Sequence, residues 1–390
     1  MRSVLSARDA LVHADQIAAL RRALELVARG RAVVLQAGDC AEDPEECAAP
    51  YIAAKRTLLH QLAGILGAAS GLPVVRVGRI AGQFAKPRSQ PVDEVDGTVL
   101  PAFRGQIVNG PEFDPRSRRA DPLRMIRCFA AAREAMHHLG WLADDWAERG
   151  LEDRVWTSHE ALLLDYEQPL VRVDGHRPIL GSTHWPWIGE RTRQVNGAHV
   201  ALLASVANPV GCKIGPSITP AELLELCRHL DPHREPGRLT LIVRMGVDAL
   251  ADRLPELVRA VRDCGHPVLW LCDPMHGNTV KGADGRKVRA VATIIEELRQ
   301  FLDVLAAAGV RANGLHLEVT PYSVAECDGQ TGRRLARAVS GWPNGSPLAP
   351  TVGKPRPSLC DPRLNPDQAA EVVSAWSGRR RPAGRIGSSE

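Results

Sequence analysis

Short apolar runs alternate along this chain with stretches of helical spacing, and that alternation limits the folds open to it. Eight strands are expected, at 32–37, 73–79, 154–158, 178–183, 209–214, 239–245, 268–273 and 313–319. Most are rich in Val, Ile or Leu on both faces, as strands buried in a parallel sheet are. Helical patterns fall at 50–69, 121–149, 190–207, 219–230, 247–263 and 287–308, with a last one at 361–376 and a first one, Ala14–Ala28, ahead of strand one. The helix of the third unit, 161–168, is short and runs into Pro169. Thr219-Pro220-Ala221-Glu222 has the pattern of a capping box with Pro in the first turn. Eight such alternations predict an α/β fold, a (β/α)8 TIM barrel, with an extra N-terminal helix and a long Gly/Pro-rich loop after strand 2 at 80–120. Residues 1–378 read as one catalytic domain, and the basic, Ser/Gly-rich 379–390 as a disordered tail.

Composition removes several classes of function. No apolar run reaches the roughly 18 residues that would cross a membrane. The N-terminal stretch lacks a signal-peptide core and carries Asp9, Asp15 and Glu25, so a cytoplasmic protein is expected. Nine cysteines without a CxxC pair suit reduced, mostly buried thiols better than a disulfide framework. A net charge of +4, with no nucleic-acid-binding signature, gives no reason to expect a nucleic-acid partner. Among 49 basic residues only six are lysines, so Lys86 and Lys213, in unusual loops, carry more information than any one arginine.

Four unlike residues each follow or close an apolar run: Cys40, His276, Glu318 and Asp361. A thiolate, an imidazole and two carboxylates delivered from four places make an open site for a divalent metal. A sulfur ligand favours Zn, Mn, Co or Fe over Mg or Ca. Around them stand Arg79, Lys86, Arg88, Arg191, Lys213 and Arg244, many of them at strand ends. The segment from Arg79 to Ser89 holds three cations and a hydroxyl, with Pro87 fixing the backbone between Lys86 and Arg88. Guanidinium forks and an ammonium in such a loop suit phosphate. Glu190-Arg191-Thr-Arg193 opens a predicted helix, where an anion gains from the dipole. Arg244 ends an apolar strand and has a structural ion pair as its alternative. Arg116, Arg118 and Arg119 are expected to be solvated. Ser158-His159-Glu160 sets three catalytic residue types side by side, but strand neighbours face opposite ways and make no triad.

These residues carry a resemblance. The strings Ala37-Gly-Asp-Cys-Ala-Glu42, Gly78-Arg-Ile-Ala-Gly-Gln-Phe-Ala-Lys-Pro-Arg-Ser89, Thr157-Ser-His-Glu-Ala-Leu-Leu-Leu-Asp-Tyr-Glu167, Gly189-Glu-Arg-Thr-Arg193, Val210-Gly-Cys-Lys-Ile-Gly-Pro-Ser217, Cys272-Asp-Pro-Met-His-Gly-Asn278 and Cys360-Asp-Pro-Arg-Leu-Asn365 run in order over nearly the whole chain. Jointly they resemble the type II 3-deoxy-D-arabino-heptulosonate 7-phosphate (DAHP) synthases. The resemblance implies a metal-dependent (β/α)8 enzyme that condenses phosphoenolpyruvate with erythrose 4-phosphate. It places Cys40, His276, Glu318 and Asp361 as metal ligands, with manganese or cobalt foremost. It places Arg79, Lys86, Glu190, Arg191, Lys213 and Arg244 around phosphoenolpyruvate, and Lys86-Pro-Arg88-Ser89 at the phosphate of the aldehyde substrate. Lys86 or Glu190, with His276, manages the protons. A homo-oligomer of two or more subunits is expected.

The chain departs from the family after Glu318, where Thr320-Pro321-Tyr322 replaces the usual Thr-Gly step, and before Cys360. It is short beside feedback-regulated members, which suggests an unregulated form serving secondary metabolism. Three other readings remain open from sequence: the same condensation on an amino or imino analogue of erythrose 4-phosphate, an inert barrel that regulates a partner, and a metal-dependent phosphohydrolase.

Overall fold

A computed structural model describes residues 1–88, 90–174, 177–282, 287–329, 358–359 and 361–376. Eight parallel strands close on themselves: β1 Val33–Gly38, β2 Val74–Arg79, β3 Trp156–Glu160, β4 Trp185–Ile188, β5 Val210–Ile214, β6 Leu239–Val243, β7 Leu269–Cys272 and β8 Gly314–Glu318. Each strand pairs with its sequence neighbours, and β1 seals the barrel by pairing with both β2 and β8. That closure puts Gly38 level with Arg79 on one side and Glu318 on the other. All but β2 are buried at every position, and most therefore read as apolar runs, although β3 buries Thr157, Ser158, His159 and Glu160.

The outer ring contains α1 Ala14–Ala28, α2 Ala49–Ser70, α3 Leu123–Leu139, α4 Ala198–Ser205, α5 Pro220–Leu230, α6 Val247–Asp263, α7 Val291–Ala307 and α8 Pro366–Ser374. The Thr219 capping box forms as expected, with Thr219 Oγ1 accepting from the Glu222 amide and Glu222 accepting from the Thr219 amide. Helix α3 stops at Leu139 because Gly140 turns left-handed at φ 81°, short of the predicted 149. Among the described residues no helix is long and apolar enough to cross a membrane.

Four expectations need correction. The fourth barrel strand is β4, not 178–183. Residues Arg177–Leu180 do form a strand, but it pairs antiparallel with Val171–Asp174 outside the barrel. Two apolar runs a few residues apart cannot be ranked by composition alone. The helix expected at 190–207 begins only at Ala198, because Thr192 turns back onto the Gly189 carbonyl, so no helix dipole lies behind Glu190–Arg193. The helix expected at 287–308 begins at Val291, and Lys287–Val288 pairs instead with Val280–Lys281. Arg118 is buried rather than solvated. It bonds Asp93 and the carbonyls of Pro101, Pro111 and Glu112, pinning a hairpin, Val92–Val95 with Thr98–Pro101, that fills the long loop after β2. The predicted tail, 379–390, lies outside the described residues.

His184 ties the start of β4 to β3 through the amide and hydroxyl of Thr157. Burial, with a smaller push from His13, lowers its pKa to about 3, so the folded chain keeps it neutral. The unfolded chain takes up a proton below about 6.5, so stability present above that pH is lost as pH falls, at about 1.4 kcal/mol per unit. Urea unfolding at pH 7.5 and pH 5 should show this loss, and His184→Gln should reduce it by about 2 kcal/mol.

Candidate active site

The C-terminal ends of the strands converge on a buried anion. Glu318 closes β8, and its side chain is fully buried. Arg79, the last residue of β2, donates from Nη2 to Glu318 Oε1 at 2.9 Å. Arg289 donates from Nη1 to Oε2 at 2.6 Å. His276 Nε2 lies 3.1 Å from Oε1. Burial by itself would raise the Glu318 pKa. The charges of His276, Arg289 and Arg79 outweigh it and hold the carboxyl well below the usual range.

His276 sits in a single turn after β7 and is oriented by Asp273, whose carboxylate is 2.9 Å from Nδ1 through Oδ1 and 2.7 Å through Oδ2. Nδ1–H donates to that carboxylate, which leaves Nε2 to face Glu318. Asp273 also accepts from Lys213 Nζ at 2.9 Å. Burial opposes the charge on Asp273, but His276 and Lys213 keep its pKa well depressed. Burial lowers the pKa of Lys213, partly offset by Asp273. Asp361 completes the group. Its Oδ2 is 3.1 Å from Lys86 Nζ and its Oδ1 2.6 Å from Lys287 Nζ. Its pKa is also depressed, because Lys86 and Lys287 overcome burial and the repulsion of Glu318.

Ligand atoms of His276, Glu318 and Asp361 all lie within 4.8 Å of one another. One imidazole and two carboxylates at that spacing, with the imidazole backed by a carboxylate, fit a divalent cation. Cys40 stands against this group: its sulfur accepts from the Asp361 amide at 3.3 Å and lies 3.4 Å from Ser358 Oγ. That sulfur is held in a disulfide rather than as the reduced thiol expected from the cysteine count, which leaves no trace of a single cross-link. The seven other described cysteines are free.

The cations divide into three groups. Arg79, Lys86, Lys213 and Arg244 face the cluster. Arg79 also donates to the Asp39 carbonyl and lies 5.3 Å from the Trp187 ring, and Lys213 lies 5.9 Å from the same ring. Arg244 donates to the His276 carbonyl at 3.1 Å. Arg88 turns away to Asp93, which it shares with Arg118, and Arg191 is exposed. Glu190 pairs with Arg193 through Oε1, while its buried Oε2 has no hydrogen-bond partner. Ser89 lies outside the described residues. Ser158 bonds the Gly78 carbonyl and His159 bonds Glu167, so these neighbours form no triad.

Four residues of the site escaped sequence reasoning. Arg289 and Lys287 were hidden inside a predicted helix. His316, on β8, shares Arg79 Nη1 at 2.6 Å and meets Gln36 through Nδ1 at 2.7 Å. Asp273 follows β7 just as Arg244 follows β6, and that shared position was the available signal.

A model of the class-II DAHP synthetase family matches residues 1–148 and 135–376, so this chain belongs to that family. It is 51% identical over 367 residues to a probable phospho-2-dehydro-3-deoxyheptonate aldolase of Pseudomonas fluorescens, covering 94% of this chain and 88% of the relative. It is 37% identical over 409 residues to the phospho-2-dehydro-3-deoxyheptonate aldolase of Streptomyces coelicolor, covering 93% and 88%. In fold it matches the solved phospho-2-dehydro-3-deoxyheptonate aldolase of Francisella tularensis with a TM-score of 0.56 at 13% identity, covering 94% of this chain and 93% of that one.

Removing the negative charge at Asp273 leaves the buried Lys213 ammonium without its carboxylate and His276 without the group that orients it. Asp273→Asn should destabilise the fold by about 3–5 kcal/mol in urea titrations at neutral pH.

Proposed function

We propose that this barrel mouth condenses phosphoenolpyruvate with D-erythrose 4-phosphate and water, giving 3-deoxy-D-arabino-heptulosonate 7-phosphate and inorganic phosphate. Family membership supports the reaction, and the site supports the roles. The observation that carries the reading is the meeting of His276, Glu318 and Asp361 inside a ring of Arg79, Lys86, Lys213 and Arg244.

His276, Glu318 and Asp361 would hold a divalent ion, with Cys40 as a fourth ligand once its sulfur is reduced. The donor set is compatible with Zn, Mn, Co or Fe, and the family resemblance puts Mn or Co first. When bound, such an ion polarises the aldehyde carbonyl. Arg79, Lys213 and Arg244, joined by Arg191, neutralise the phosphate and carboxylate of phosphoenolpyruvate. Fixing both ends of that molecule presents C3 to the aldehyde carbon, so a bond forms with little further loss of freedom. The sequence resemblance gives the phosphate of the tetrose to Arg88 and Ser89, which requires Arg88 to leave Asp93.

The protons fall to Lys86 and Glu190. Lys86, at the edge of the ligand cluster, gives a proton to the aldehyde oxygen as it becomes a hydroxyl. Glu190 has a buried oxygen without a partner and takes a proton from the water that adds to C2. The hemiketal phosphate then breaks its C2–O bond, leaving the ketone and inorganic phosphate. Assembly of two or more subunits and service to secondary metabolism belong to the same proposal and rest on the sequence resemblance, and cytoplasmic residence rests on the composition of the N-terminal stretch.

Two assays test it. Incubation with both substrates and Mn or Co should release one phosphate per heptulosonate phosphate by mass spectrometry. Phosphate released without the aldehyde would make the chain a phosphohydrolase. A strong chelator should abolish turnover and added Mn or Co, under reducing conditions, should restore it; full activity in excess chelator would remove the metal from the mechanism. Lys86→Met should lower kcat by about 10²- to 10⁴-fold in steady-state assays, as expected for a proton-transferring group.

A further inference from the structure

Glu297 lies on the outer helix α7, yet its side chain is fully buried and points inward to the loops after β6 and β7. One oxygen, Oε1, accepts from the amides of Met245 at 3.2 Å and Gly246 at 2.8 Å. The other, Oε2, accepts from Asn278 Nδ2 at 2.5 Å. The Asn278 amide is fixed from both ends: Nδ2 also donates to the Pro274 carbonyl at 2.8 Å, and Oδ1 accepts from the Val247 amide at 3.1 Å. Helix α6 has no capping side chain of its own at Gly246. Glu297 and Asn278 cap it from outside, from α7 and from the loop after β7.

The two loops also touch backbone to backbone. Gly246 has φ 84°, and a Cβ there would stand 2.9 Å from the Gly277 carbonyl oxygen. A Cβ on Gly277 would stand 2.2 Å from the Gly246 nitrogen. Only two glycines can pack in this way. Each loop carries a residue of the site next to the contact. Arg244 precedes Met245, His276 precedes Gly277, and the Arg244 guanidinium donates to the His276 carbonyl.

We infer that Glu297 and Asn278 are positioning residues, which lock the loops after β6 and β7 into one unit and so set the Arg244 guanidinium at the distance from His276 that phosphoenolpyruvate requires. The inference rests on the substrate role given to Arg244 above. Burial holds the Glu297 carboxyl up to about 7, against the pull of its three donors, so the chain keeps a costly group that touches neither substrate.

The test uses the full chain and reads phosphoenolpyruvate binding by calorimetry together with steady-state kinetics. In Glu297→Gln the new amide must face the fixed Asn278 amide, donor against donor, and the Asn278 link is lost. Gly277→Ala separates the loops by a different route. Each should raise the Kd and KM for phosphoenolpyruvate by about tenfold to a hundredfold, as misplacement of a binding group does. The KM for erythrose 4-phosphate should change far less. The double variant Glu297→Gln with Asn278→Asp exchanges the roles of the pair but sets a carboxylate oxygen against the Pro274 carbonyl, so it should bind phosphoenolpyruvate no better than Glu297→Gln alone. Arg244→Ala separates the two ideas. If it binds phosphoenolpyruvate as the parent does, the substrate role of Arg244 fails. If it binds weakly while Glu297→Gln and Gly277→Ala fold and bind normally, the positioning inference alone is overturned. A lower melting temperature with unchanged Kd would reduce Glu297 to a helix cap.

Discussion

The Glu318 carboxylate has no exposure to water, and Arg79 holds one of its oxygens, Arg289 the other, with His276 beside them. A lone buried carboxylate would cost several kcal/mol and would take up a proton instead. Two guanidiniums from separate parts of the chain keep it ionised. The same solution recurs nearby. Asp273 is shared by Lys213 and His276, and Asp39 by Lys55 and Arg363. Each acid is matched to bases drawn from different strands, loops or helices, so the barrel mouth depends on how those elements are placed.

That network also explains how a site can take anionic substrates and a cation together. The acids are compensated by bases already in place, so the bases are spread around the acids rather than clustered. A divalent ion held by His276, Glu318 and Asp361 would take over part of that compensation. Lys86 and Lys287, both paired with Asp361, would then be free to turn toward an anion. Trp187 supports this arrangement from inside the barrel, with its ring against Arg79, Lys213 and His316. An aromatic face attracts the cations without neutralising them.

Much of this was legible in the sequence, for local reasons. A strand buried on both faces tends to be rich in Val, Ile and Leu, so seven of the eight barrel strands show their positions within two residues, although β3 buries Thr157, Ser158, His159 and Glu160. The exception, β4, shows the limit. Arg177–Leu180 and Trp185–Ile188 are both short apolar runs, and only pairing with β3 and β5 selects the second. Lys287 and Arg289 were assigned to a helix by periodicity, because nothing local shows that Arg289 ends against a carboxylate on β8. Arg118 reads as a solvated charge in the sequence for the same reason.

The sequence by itself determined the barrel, the end of the barrel that carries chemistry, and the residue types that converge there. Backbone periodicity and strand termini are properties of neighbouring residues. Only the tertiary structure decided which charge meets which. The partners of Glu318 on β8 come from Arg79, on a strand far back in the chain, and from Arg289, in the loop before α7. A buried ion pair depends on distance in space and on shielding from water, and the order of residues along a chain records neither.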